Sequence, residues 1–278
     1  MSEVKVNKLS PRSGTTVTIG DSGDTITIPS GATLSNSGTT TIAGNLSVDG
    51  GTIKLDGPFP TGTQNTALGN DTLASGSLSG GYNTAVGESA LKTNTSGAAN
   101  AAFGRDALEL NTTGCQNTAL GQNSMYTNTT GDFNTAVGRE ALYSNETADN
   151  NTAVGRRALY LNTSGASNVA VGYLSLDANT TGATNVAVGR GSLGANTTAS
   201  NNTAVGDLAL VANTTGANNV AIGRDSLATN TTASGNTGVG ESALELTTTG
   251  CCNTAVGNGA LTANTTGDDN VAVGQAAL

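Results

Sequence analysis

The stretch Asn151–Leu193, NTAVGRRALYLNTSGASNVAVGYLSLDANTTGATNVAVGRGSL, decides the fold. Its words NTAVG, NVAVG and NVAVG begin at Asn151, Asn168 and Asn185, and each leads through a short pair such as AL or SL to NTSG, NTTG or NTTA. Followed outward, the word also starts at Asn83, Asn100, Asn117, Asn134, Asn202, Asn219, Asn236, Asn253 and Asn270, with a spacing of 17 throughout. One further copy, at Asn65, sits 18 residues before Asn83. The repeat reads N-[TV]-A-[VLIF]-G-x-x-[AS]-L-x-x-N-T-[TS]-[GA]-x-x, with departures such as Gly238 for the Ala and Thr247 for the second Asn. Helical-hairpin repeats need more than about thirty residues, whereas three apolar-patterned residues between turn signals suit a short strand. The expected fold is therefore all-β, a parallel β-solenoid.

Composition points to an extended object. The 278 residues include 39 Gly, 3% aromatic and 11% charged residues, and no Trp or His, too little bulk for one thick core. Disordered tracts share this polarity but have no reason to hold an apolar residue in register through thirteen copies. A net charge of −9 disfavours nucleic acid and anionic membranes as partners. The opening MSEVKVNKLSPRSG lacks the apolar segment of a signal peptide, and no run of apolar residues is long enough to insert in a membrane, so synthesis in a cytoplasm is expected. Cys115, Cys251 and Cys252 read as unpaired loop residues, since Cys115 and Cys251 lie eight coils apart, on the order of 38 Å. The many NTT and NTS sequons are read as turn chemistry.

Within a coil, a strand separates the second and fourth residues of the word from the third. Val154 is assigned to the interior with Leu159, and Ala153 to the outside; the opposite assignment fits almost as well. Gly155 is expected to end the strand in a turn with positive φ, RRAL to make one helical or 3₁₀ turn, and Gly165 to be the left-handed residue of the NTSG turn. Stacked about 4.8 Å apart, Asn151, Asn168 and Asn185 are expected to form a structural ladder in which side-chain amides donate to the next coil's carbonyls. A coil this thin encloses little, so stability has to come from stacking and from a face buried against other chains. A homotrimer is expected, with Ala153, Ala170 and Ala187 at its interface.

These words resemble the repeats of bacteriophage tail-fibre proteins and, more distantly, the SVAIG-type repeats in the heads of trimeric autotransporter adhesins. The latter likeness implies left-handed parallel β-rolls in a trimer. The beginning, VNKLSPRSGTTVTIGDSGDTITIPSGATLSNSG, is similar to the amino-terminal part of fibre proteins from phages of marine bacteria and cyanobacteria. Residues 1–57, with TTVTI, DTITI and NLSVDG, read as a β-rich module, which the resemblance makes a virion-attachment segment. Residues 58–64, carrying Pro58 and Pro60, read as a linker or collar, and 65–278 as the solenoid shaft. The resemblance thus implies a virion protein made in the host cytoplasm, partnered by itself and by a virion structural protein, and touching a host-surface glycan. The alternative reading is a bacterial trimeric surface adhesin. At the other end Leu278 falls on the core position of an unfinished coil, an edge expected to be covered by another protein or by symmetry mates.

No catalytic constellation stands out, and no cofactor or metal is implied. Carboxylates such as Asp106 and Glu140 are indistinguishable from charged turn residues, and Asp268 with Asp269 reads as a solvated pair. An enzyme is not expected. Arg105, Arg139, Arg156, Arg190 and Arg224 share the position after the Gly, with Gln122, Tyr173 and Asp207 between them, which reads as an ion-pair row or a track for anionic glycans. Tyr126, Tyr143 and Tyr160 occupy one position in three consecutive coils. They are the glycan-binding candidates, beside the plainer role of rings that stiffen the shaft. Ice binding is disfavoured because no outward Thr-x-Thr strand recurs.

Overall fold

The computed structural model describes residues 64–278. The expectations for residues 1–57 and for the linker prolines Pro58 and Pro60 lie outside the described residues. Thirteen strands of three residues run from β1 (Thr66–Leu68) to β13 (Val271–Val273) and join one parallel sheet in strict chain order. Pairing is in register, so that like residues meet: β6 (Thr152–Val154) sets Thr152 beside Val169, Ala153 beside Ala170 and Val154 beside Val171 of β7 (Val169–Val171). The described residues contain no helix. The chain is a parallel β-solenoid, each coil lying on the one before.

Which strand face is inside differs from the preferred reading. Ala153, Ala170 and Ala187 are 0% exposed within the single chain, whereas Thr152 and Val154 are half-exposed. These three alanines therefore face the interior of their own coil, where no partner chain can reach them. The physical reason lies in Thr152, which shares a face with Val154: turning that face inward would bury a hydroxyl, at a cost of about 1–3 kcal/mol if unpaired. Leu159 takes its place in the core beside Ala153, and its equivalents, including Met125, form a buried column. Where Gly238 replaces the Ala, the Ser226 hydroxyl donates to Gly238 O at 3.0 Å and occupies the space.

A buried Leu contributes about 1.5–3 kcal/mol. Ordering the 17 residues of a coil costs roughly 1 kcal/mol each or more, so apolar burial alone cannot hold it. Hydrogen bonds between coils carry the rest. Leu159, Leu161 and Thr163 donate their N–H groups to Ser175, Asp177 and Thr180 of the next coil at 2.9, 3.0 and 3.0 Å.

The turns also differ from expectation. Gly155 has φ 135°, and a Cβ there would lie 2.5 Å from Gly172 O, so only glycine fits. The RRAL segment is not helical, because Arg157 and Leu159 are both left-handed, at φ 57° and 55°. Ala158 N–H donates to Gly155 O at 3.3 Å, and Asn162 N–H to Leu159 O at 3.4 Å, giving two successive tight turns. Gly165 is not left-handed; Ser167 is, at φ 60°. Gly165 instead lets neighbouring coils close in, since a Cβ would stand 2.2 Å from Gly182 O. Leu278 is 96% exposed rather than seated in a core layer.

Candidate functional site

In a solenoid each repeat position becomes a column. Columns that keep one residue type hold the stack together; columns whose identity changes are where the surface acquires particular chemistry. The conserved-type columns are polar as well as apolar inside. Asn168 donates its N–H to Asn151 Oδ1 at 2.9 Å and its Nδ2 to Gly182 O of the following coil at 2.8 Å. Asn185 repeats this, donating to Asn168 Oδ1 at 3.0 Å and to Ala199 O at 2.8 Å. The second Asn of the repeat forms a parallel ladder, with Asn162 Nδ2 on Asn145 Oδ1 at 3.1 Å and Asn179 Nδ2 on Asn162 Oδ1 at 2.8 Å. All these residues are buried, so each of these coils carries two hydrogen-bonded amides in its interior.

The variable columns flank the turn that leaves Gly155. Arg139 and Arg157 both reach Glu140, at 2.9 and 2.6 Å, and the Arg157 hydrogen bond, with the nearby guanidinium charges, holds the Glu140 carboxyl below its usual range. Arg190 pairs with Asp207 at 2.8 Å, Arg105 with Asp106 at 3.0 Å, and Arg224 with Glu241. The arginine row is thus largely engaged in ion pairs; an exposed one such as Arg190–Asp207 is worth at most about 1 kcal/mol, whereas Glu140 is largely covered where the arginines meet it. Asp106 and Glu140 are tied up separately in these pairs rather than facing each other across a cleft.

Tyr126, Tyr143 and Tyr160 stack ring on ring. Successive centroids are 5.2 Å apart, with interplanar angles of 7° and 28°. Arg157 lies over Tyr160, its guanidinium carbon 4.7 Å from the ring centre. Tyr143 therefore spends both faces on rings, and Tyr160 is met by Tyr143 and Arg157, whereas a sugar stacks on a free face; a ring covers only one face of Tyr126. Burial, with Glu109 alongside, pushes the Tyr126 hydroxyl above its ordinary pKa. One coil past Tyr160 the same column holds Asp177, and Gly194 follows, opening a recess of about 350 Å³.

The outer surface of the strands is uniform. The first and third residues of the thirteen strands are Thr, Val, Ala, Leu, Ile or Phe, and none is charged. Leu68, Phe103, Leu120 and Ile222 on this surface are 60%, 39%, 48% and 40% exposed. This uncharged strip, apolar throughout in its column of third residues and mostly Thr in its column of first residues, was missed by the sequence reading, although the Thr at the second position of the repeat was the signal for it.

The cysteines are unpaired, and the Cys252 hydrogen bond together with Asp268 raises the Cys251 thiol to about 11. Among the described residues no group of three or more His, Cys, Asp or Glu is placed to hold a metal ion, and no helix is long and apolar enough to cross a membrane. Comparison with protein-family models, with curated proteins and with solved structures gave no match. The class that the fold defines is a β-solenoid repeat protein.

Proposed function

We propose that the chain is the shaft of a fibre, in which three copies associate side by side through the strand face bearing Thr152 and Val154, and in which the variable columns contact a host-cell surface. The observation that carries this is the uncharged outer strip running from β1 to β13. At about 4.8 Å per strand it is roughly 60 Å long, and with two side chains across it offers on the order of 600 Å² per chain, close to one side of a stable interface. A partner with the same periodicity, another copy of this chain, matches every row of such a strip. The resemblance of the repeat words to those of phage tail fibres supports placing the fibre on a virion, with residues 1–57 as the attachment segment; a bacterial surface adhesin is the alternative. Ice ordering is less well supported, because Val169, Val186 and Val220 break the Thr column.

Light scattering on the full chain tests the association. The expected mass is three chains, and Val171→Asp combined with Val205→Asp gives one chain with unchanged circular dichroism. A monomer mass for the unsubstituted, folded protein overturns the assembly. Immunogold labelling of intact virions tests the location.

A further inference from the structure

The recess beyond the tyrosine stack is made by the absence of side chains at two outward positions of one coil, Gly191 and Gly194. The backbone does not require glycine at either. Gly191 has φ 63°, but Leu174 and Leu208, in the same column, adopt 56°. Gly194 has no left-handed φ, and its column holds Tyr160 and Val211 elsewhere. A Cβ at Gly191 would stand 3.0 Å from Leu208 Cδ2, and one at Gly194 would stand 3.1 Å from Gly191 O and 3.5 Å from Asp177 Oδ1. Side chains with small adjustments are thus compatible with the coil, and they would fill the space.

What surrounds the space is amphipathic. Tyr173 and Leu174 wall it on the preceding coil, Leu208 and Val211 on the following one. Arg156, from the coil before Tyr173, lies over that ring at 5.7 Å, and the recess is on the side of the following coil. Tyr173, which stands in the arginine column rather than in the tyrosine stack, is the aromatic ring that lines the recess, and it is 44% exposed. Two polar groups complete the lining. Arg190 is held by Asp207 at 2.8 Å, while Asp177 makes no ion pair, and burial keeps its carboxyl above the usual range. With Asp207 neutralising Arg190, the acceptor at Asp177 sets the sign of the site.

We propose that this recess binds a single neutral or amino-bearing sugar ring, its apolar face against Tyr173 and the flanking leucines and a hydroxyl or amino hydrogen donated to Asp177. The volume is at the small end of ligand sites, roughly 300–1,000 Å³, and suits one ring rather than a chain. A sugar ring has the matching character of an apolar face and a rim of donors, and an acidic sugar is opposed by the Asp177 charge. The proposal deepens the host-surface reading above and rests on it for the choice of a glycan.

Saturation-transfer NMR on the full chain, with methyl glucoside, methyl glucosaminide and sialic acid as separate probes, tests it. Transfer to one or both of the first two is expected, with a Kd of about 1–10 mM, and none to sialic acid. Gly194→Val abolishes the transfer without changing the melting temperature, Asp177→Asn weakens it about tenfold, and Tyr143→Leu leaves it unchanged. Should Gly194→Val not fold, Gly191→Leu serves, since Leu174 and Leu208 already occupy its column. No transfer from any probe, or equal transfer in the filled variant, overturns the proposal. Light scattering on the same samples separates the two readings: a trimer that binds no probe removes the sugar site alone, and a monomer that binds removes the assembly alone.

Discussion

Replacing Asn168 by Ala measures what the inner amide ladder contributes. Asn168 is fully buried; its Oδ1 accepts the Asn185 N–H at 3.0 Å, and its Nδ2 donates to Gly182 O at 2.8 Å. After truncation Gly182 O keeps a donor, Asn179 Nδ2 at 2.9 Å, and Asn185 Nδ2 keeps Ala199 O. The Asn185 N–H keeps nothing. One orphaned buried donor costs about 1–3 kcal/mol, the lost second bond to Gly182 about 0.5–1.5, and the small void adds to both. The expected loss is roughly 2–5 kcal/mol, confined to the coils on either side because each coil touches only its neighbours. Hydrogen exchange read by mass spectrometry over residues 168–185 is the assay. At tenfold per 1.4 kcal/mol, protection of the Asn185 amide should fall by about thirtyfold or more. A change below about threefold refutes the reasoning, since it would mean that water or a shifted backbone replaces the ladder at no cost. The ladder of the second Asn has a built-in comparison: at Thr247 that Asn is absent, and the Thr247 hydroxyl donates to Asn264 O at 2.9 Å instead.

Three further substitutions and one titration follow from the turns and thiols. Gly155→Ala combines φ 135° with a Cβ 2.5 Å from Gly172 O and should cost more than about 3 kcal/mol in urea unfolding. Gly165→Ala carries no φ penalty, but its Cβ would stand 2.2 Å from Gly182 O, so the coils must shift as they do around Ala148, Ala199 and Ala233 in the same column; it should cost about 1–3 kcal/mol, less than Gly155→Ala, and equal costs would refute the distinction. Cys251, with its thiol at about 11, should alkylate slowly with iodoacetamide at pH 8 and gain about tenfold in rate per pH unit up to pH 10. Because the neighbouring thiol and carboxylate stabilise the protonated form, Cys252→Ala should speed the reaction at pH 8, as resolved by peptide mass spectrometry.

The 17-residue period of the Asn, Gly and Leu positions made the coil, the parallel register and the vertical alignment of Tyr126, Tyr143 and Tyr160 legible, since fixed spacing places like residues above one another. Which way a three-residue strand faces was harder. Ala and Val are both apolar, and only the Thr that shares the Val face decides it. Left-handed residues such as Ser167 and Arg157 were invisible because their two columns accept almost any side chain, held there by bonds from neighbouring coils rather than by the residue's own preference. The recess was legible in principle: Gly191 and Gly194 stand in columns that other coils fill, but this counts as a signal only once the backbone is known not to need them.

The coil from Asn65 to Asn83 holds one residue more than the others, yet its strand pairs with the next in full register. The surplus is absorbed between Leu73 and Gly80, where Gly76 has nothing within 4 Å. Elsewhere the coil has no such slack, so the length of the rod is quantised. Gaining or losing a whole repeat moves its far end by about 4.8 Å and preserves every column, whereas a one-residue slip would set Asn against Thr and Gly against Val through all later coils. The gene can lengthen or shorten this object by whole steps, as a ruler is cut at its marks, without redesigning its cross-section.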